Sequence, residues 1–226
     1  MARIKYGSLV VAGSGKIGGH VLSRNAGGAY IRTKVTPINP QTIAQTKQRA
    51  NFAQITTSWG SLTDAQRSSF VDAVSSFAKT DVFGDLKTPT GKALYQRLNL
   101  NLLNTGQTLL TQAPLPDVVL GAEAVSADAG LTAQFMTITA NGDTTGNKVI
   151  IYATDKLSQG TTFVKNKLRQ LVVFAGQAAG AFDFWAEYLA KYSIPVVGDN
   201  IRVAIRTVNA VGQVSPLQVF KVKIVA

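Results

Sequence analysis

The stretch HVLSRNAGGAYIRTKV (His20–Val35) holds two runs of strand character around the turn-rich interval Asn25-Ala26-Gly27-Gly28. Asn and Gly tolerate the positive φ that tight hairpin loops need, so the spacing predicts a β-hairpin built from His20–Arg24 and Ala29–Val35. Along the second run Tyr30, Arg32 and Lys34 fall on one face and Ala29, Ile31, Thr33 and Val35 on the other, because side chains alternate along a strand. Two cations and an aromatic ring therefore share one side. Working outward, the first 63 residues carry eight basic side chains (Arg3, Lys5, Lys16, Arg24, Arg32, Lys34, Lys47 and Arg49), and the first carboxylate is Asp64. Of the formal net charge of +11, +8 lies in this leading segment. The first 35 residues also hold seven glycines and no long apolar run, apart from Ser8–Ala12 (SLVVA), which reads as a short strand. A segment of this kind has little to bury by itself. It reads as a basic, extended docking arm over residues 1–39, laid along something negative or something larger.

Two prolines in Thr36-Pro37-Ile38-Asn39-Pro40 forbid a continuing ladder or helix and end the arm. Asn39 then suits an N-cap with Pro40 at the first helical position, opening a helix from about Gln41 to Trp59. Its apolar stripe is Ala44, Gln48, Phe52, Ile55 and Trp59, with Lys47 and Arg49 off it. Thr63-Asp64-Ala65-Gln66 forms a capping box for a second helix to about Lys79, with Phe70, Val71, Val74 and Phe77 inward. A turn region with Gly84 and Pro89 follows. A third helix is expected from about Gly91 to Asn104, with Leu94, Leu98 and Leu102 inward and Gly106 as its stop. These three short helices, residues 40–113, make a bundle better supported by a neighbour than alone.

Beyond Pro114-Leu115-Pro116 the helical period gives way to strand period. Leu131–Ala140, Lys148–Thr154, Leu171–Ala175, Ile201–Asn209 and Gln218–Val225 are β-rich runs separated by Gly, Asn and Asp turns, and Trp185–Tyr192 reads as a short helix or an irregular crossover. Short strands at this spacing predict an antiparallel β-sandwich of immunoglobulin or fibronectin type III character over residues 114–226. The expected class is α+β: arm with hairpin, three-helix segment, sandwich.

The composition excludes several functions. With no cysteine in 226 residues there are no disulfides, thiolate metal sites or cysteine nucleophiles. No signal peptide is visible, and the longest apolar-rich stretch, Leu171–Phe182, is interrupted by Gly176, Gln177 and Gly180, far below a membrane span, so the chain reads as soluble. A pI near 10 points to polyanions or acidic protein surfaces as partners. Gly13-Ser14-Gly15-Lys16-Ile17-Gly18 matches GxGxxG formally. A dinucleotide site needs a helix opening there and an acid about 20 residues later, and neither is present. Gly15-Lys16 is followed by Ile17, so the stretch also fails as a phosphate loop. His20 is the sole histidine and sits in a glycine-rich arm beside Arg24, which argues against a Ser-His-Asp triad and a metal cluster. Asp64, Asp72, Asp81 and Asp85 read as solvated faces and caps, and Trp59, Phe70, Phe77 and Tyr95 as core. No enzyme, cofactor or small-molecule substrate emerges. Tyr30 with Arg32 and Lys34 suits base stacking with phosphate contacts, or, preferred here, a strand laid against a neighbouring subunit.

The run from Gly15 through Phe70 resembles a family of virion structural proteins from tailed bacteriophages and related prophages. The shared features are Gly15-Lys16-Ile17-Gly18-Gly19, the Arg32-x-Lys34 strand, Asn39-Pro40-Gln41-Thr42, Arg49, Trp59 and Leu62-Thr63-x-x-Gln66-Arg67. The resemblance covers roughly residues 15–106. The C-terminal half is similar to the fibronectin-like module such proteins carry, with Val197-Gly198-Asp199 leading into IRVAIRTVN, then Gly212 and Ser215-Pro216. The resemblance implies a non-enzymatic auxiliary or decoration protein of the virion, assembled in the host cytoplasm. It would dock on the capsid lattice through Arg3, Lys5, Lys16, Arg24, Tyr30, Arg32, Lys34, Lys47 and Arg49. Implied partners are the major capsid protein or other virion proteins, further copies of the chain, and packaged DNA. A head–tail connector or tail component, and a DNA-binding protein using the arm on phosphates, are the alternatives.

Overall fold

The computed structural model describes residues 2–119, 124–130, 134–140, 143–178 and 180–225. The chain is α+β and divides into two compact units, Met1–Gln48 with Ala78–Lys87, and Arg49–Phe77 with Thr88–Ala226.

The first unit is built on the hairpin. Strands β1 (Ala2–Arg3), β2 (Gly15–Ile17), β3 (His20–Asn25) and β4 (Gly28–Thr33) form an antiparallel sheet in the order β1-β4-β3-β2. The leading segment is therefore not simply an extended arm: its strands Ala2–Arg3, Gly15–Ile17, His20–Asn25 and Gly28–Thr33 pair with one another, while residues 4–14 form no strand. SLVVA is not a strand either. Ala2–Arg3 occupies the outer side of β4 instead, pairing with Ile31 and Tyr30, and Leu9 stays 98% exposed.

Helix α1 (Ile43–Ser61) begins later than the sequence suggests. Gln41 sits at φ +48°, which no helix accommodates, so Asn39-Pro40 cannot start it; Thr42 Oγ1 accepts from the Gln45 N–H at 3.4 Å and caps the helix. Of the expected stripe only Ile55 and Trp59 pack inward, while Ala44, Gln48 and Phe52 are exposed. Helix α2 (Asp64–Asp72) has the expected box, with Thr63 Oγ1 accepting from Gln66 N–H and Gln66 Oε1 accepting from Thr63 N–H. It stops at Asp72, where a 3-10 turn over Ala73–Phe77 takes over, and Val71 faces out. β5 (Lys79–Thr80) and β6 (Leu86–Lys87) then form a small hairpin, with Gly84 at φ +86°. Helix α3 (Gly91–Asn104) ends as expected at Gly106, φ +70°.

Trp59, Phe70 and Tyr95 meet edge-on or tilted with centroids 5.2–6.1 Å apart. With Ile55, Leu62, Phe77, Leu94 and Leu98 they form the helical core, so the aromatic residues are packing groups and not stacking platforms. Asn99, fully buried on α3, accepts from the Leu110 N–H at 2.7 Å and donates to Tyr95 O, pinning the segment that leaves the helix.

The remaining strands are β7 (Ala124–Gly130), β8 (Phe135–Ala140), β9 (Lys148–Ala153), β10 (Arg169–Ala175), β11 (Gly180–Asp183), β12 (Asn200–Val208) and β13 (Gln218–Lys223), with a short helix α4 (Trp185–Leu189). They make two antiparallel sheets, β10-β9-β12-β13 and β11-β8-β7. Of the expected strand Leu131–Ala140, residues 131–133 lie outside the described residues. Met136, Ile138 and Phe182 of one sheet and Val149, Ile151, Ile201, Val203, Ile205 and Val222 of the other belong to a single core. Arg202 and Arg206 point away from it, as the alternation in IRVAIRTVN requires.

α1 from Arg49 onward, α2, α3 and these sheets fall in one unit, linked by a close backbone approach. Gly212, φ +75°, comes so near α3 that a Cβ there would meet Leu98 O at 2.3 Å, and Asn101 Nδ2 donates to Gly212 O at 2.8 Å. Gly212→Ala should therefore lower the stability of helices and sheets together by about 1–3 kcal/mol, read as a single shifted urea transition by far-UV circular dichroism and tryptophan fluorescence. An unchanged midpoint would show that the turn moves aside freely.

Candidate docking interface

The sheet register decides which basic residues share a face. Directly paired residues of antiparallel strands project to the same side. Lys16 pairs with Val21 and Val21 with Arg32, giving one row; Ser23 pairs with Tyr30 and Tyr30 with Arg3, giving the next. Arg3, Lys16, Tyr30 and Arg32 thus occupy one face, and alternation carries Lys34 to it, its backbone N–H donating to Gly19 O at 2.8 Å. The opposite face holds Leu22, Ile31 and Ala2 in one row, Ile17, His20 and Thr33 in another, and Arg24 beside Ala29. Arg24 instead lines a groove of about 310 Å³ with Lys5, Tyr6, Gly13 and Gly28. The remaining two nominated cations are not on the sheet: Lys47 and Arg49 lie on α1, and Arg49 belongs to the second unit.

Two nominated residues already have acidic partners. Arg3 Nη1 lies 2.8 Å from Asp81 Oδ2, and Lys5 Nζ lies 3.0 Å from Asp85 Oδ2 and 5.4 Å from the centre of the Phe83 ring. Asp81 and Asp85 are therefore not simply solvated. They clasp the start of the chain to the β5–β6 hairpin across 78 and 80 residues, a separation at which sequence offers no signal. The Asp81 side chain is only 5% exposed, and its Oδ1 also accepts from the N–H groups of Phe83 and Asp85 at 2.8 and 3.1 Å. Burial pushes this carboxyl up, but the two backbone donors and the Arg3 guanidinium outweigh it and hold it below its ordinary value. The Lys5–Asp85 pair is half exposed and contributes little.

What the unit lacks matters as much. Its residues include nine bases and two acids, and those two acids are Asp81 and Asp85. Lys16, Arg24, Arg32 and Lys34 have no ion pair among the described residues. No described residue of the unit belongs to the buried hydrophobic core, yet it presents ten exposed large apolar side chains, among them Leu9, Ile17, Val35, Ile38 and Ile43. Basic rows and unburied apolar groups occur on the same small sheet and its flanks.

The motifs weighed for chemistry fall elsewhere. Gly13–Gly18 forms a loop, strand β2 and a turn with Gly18 at φ +55°, and no helix opens from it. His20 is exposed at the start of β3. Among the described residues no three His, Cys, Asp or Glu cluster as a metal site would need, and no helix is long and apolar enough to cross a membrane. The Tyr188 hydroxyl is buried without a hydrogen-bond partner among them; burial, then the nearby Asp155 charge, pushes its pKa well up, so it stays protonated.

The clasp gives a pH signature. The folded Asp81 pKa is depressed, so its stabilisation is complete above the unfolded value of about 3.9 and disappears as pH falls through the lower folded value. An NMR titration of the Asp81 carboxyl carbon should place its midpoint below the ordinary aspartate value of about 3.9, and Arg3→Ala should move it upward. An ordinary midpoint insensitive to Arg3→Ala would remove the clasp. Searches of protein-family models, curated proteins and solved structures found no match to this chain.

Proposed function

We propose that this chain is a non-enzymatic structural protein of a phage virion, an auxiliary or decoration protein that docks on the capsid lattice through its N-terminal unit. The observation that carries the reading is that this unit is a paired sheet without a buried hydrophobic core of its own. A sheet gains its stability by burying a face against a second layer, and a partner subunit supplies that layer. Lys16, Arg24, Arg32 and Lys34, which have no ion pair among the described residues, give the contact its sign, while Leu9, Ile17 and Ile38 give it apolar area. The sequence resemblance to virion structural proteins names the assembly in which such a layer is repeated many times, and repetition strengthens contacts that are individually weak.

The C-terminal sheets take the role of a projecting module of immunoglobulin or fibronectin type III character. Seven strands arranged as four and three around one core support that reading. A second reading, DNA binding by the same cations, is favoured by their lack of acidic partners; it predicts affinity for duplex DNA that falls steeply with salt. The exposed apolar groups favour the protein partner, since phosphates give them nothing to pack on.

Deletion of residues 1–38 tests the proposal. The shortened chain should unfold at nearly the urea midpoint of the full chain and be absent from purified particles, where the full chain is present at copy numbers comparable to the major capsid protein. Incorporation of the shortened chain at full copy number would overturn the docking role.

A further inference from the structure

The N-terminal sheet leaves one strand edge open in a way the sequence does not reveal. Of its two edge strands, β1 is two residues long, and Arg3 and Lys5 beside it are held by Asp81 and Asp85. The outer edge of β2 pairs with no strand among the described residues. A Cβ placed on Gly15, Gly18 or Gly19 would meet nothing within 4 Å, so the faces of the sheet at β2 and its turn are uncrowded. Ile17 and His20 are partners across a two-residue loop. Their backbone groups therefore bond each other, and those of Lys16, one residue back, point outward. Lys16 lies on the basic face with Arg32, while Ile17, 66% exposed, lies on the other face.

We infer that the β2 edge accepts an extended strand of a different protein, one that alternates acidic and apolar residues and places a carboxylate beside Lys16. The inference rests on reading the unit as a docking module and reverses the direction of strand addition: the leading segment receives a strand and does not donate one. Residues 18–33 are already occupied in the sheet. The segment after them is a poor donor, because Pro37 and Pro40 lack N–H groups and Gln41 sits at φ +48°.

Charge identifies the occupant as another protein and not a second copy. The first unit carries nine bases against two acids and the rest of the chain fourteen against ten, so neither unit is net acidic. Two β2 edges brought together would also set Lys16 near Lys16, and like charges across a ladder are destabilising. An edge lysine is a common guard against pairing with the same chain, and an acidic strand satisfies it. Nucleic acid has no strand to add and offers Ile17 no apolar partner.

The test uses the full chain and a synthetic peptide with blocked ends, VEVDVEV, against its isomer VVVVEED. Amide exchange followed by NMR should show Lys16 slowed at saturating VEVDVEV, with Ile17, already paired inward, changed less. Lys16→Gln, which keeps the outward N–H, should weaken binding about two- to fivefold, the worth of one exposed ion pair. Lys16→Pro removes that N–H at an edge position where proline is tolerated and should abolish binding. Equal protection by the isomer or by duplex DNA, or undiminished binding by the proline variant, would overturn the inference. The exchange measurement on the unsubstituted chain decides the question even where the proline variant misfolds. A chain that binds VEVDVEV at Lys16 yet is absent from particles keeps the strand site and loses the virion reading; incorporation into particles without peptide protection does the reverse.

Discussion

A β-sheet has two faces, and in water at least one of them has to be covered for the sheet to hold its shape. The sheet formed by Ala2–Thr33 meets that requirement only in part. Its central strands β3 and β4 carry half-buried Val21, Leu22, Tyr30 and Ile31, and none of their side chains is fully buried. Conformational entropy lost in ordering such a segment is of order 1–2 kcal/mol per residue, and apolar burial is the main term that offsets it. A unit that buries so little is held mostly by its backbone ladder, with the Arg3–Asp81 contact tying the start of the chain to the β5–β6 hairpin. The exposed apolar groups, the open β2 edge and the excess of positive charge are the features on which the proposed docking of a partner layer rests.

The second unit is built the opposite way. The two C-terminal sheets share one apolar core, and the helices have a second one centred on Ile55, Phe70, Leu94 and Tyr95. Gly212 lets the turn after β12 reach the backbone of α3, and Gln213 reaches back to Leu115 and Asp117 at 2.7 Å each. These links give the short helices the neighbour their length calls for. A self-sufficient unit joined to an incomplete one is the division that the proposed docking role calls for.

Much of this is written locally in the chain. The Thr63–Gln66 box, the stop at Gly106, the hairpin around Asn25–Gly28 and the alternation in IRVAIRTVN depend on a few adjacent residues, and each is legible. The failures have a common cause in distance. β7 (AVSADAG) and β11 (GAFD) are rich in Ala, Ser, Asp and Gly, residues that strands ordinarily disfavour; their pairing with β8 decides them. SLVVA looks like a strand but finds no partner, since Ala2–Arg3 takes the outer side of β4. Asn39-Pro40 resembles a helix start until the positive φ of Gln41 defers it to Thr42. At the candidate site, the shared face of Tyr30 and Arg32 is visible in the spacing. The addition of Arg3 and Lys16 to that face comes from register, and the engagement of Arg3 and Lys5 by acids about 80 residues away is invisible without it.

Residue-resolved hydrogen exchange on the free, full-length chain addresses the claim that the N-terminal unit is incomplete most directly. The account predicts that amides of β3 and β4 exchange orders of magnitude faster than those of β9 and β12, although all four strands are fully paired along their central residues, because opening the first sheet exposes little apolar surface. Protection of Leu22 and Ile31 equal to that of Ile151 and Val203 would contradict it, since the sheet would then be stable without any partner.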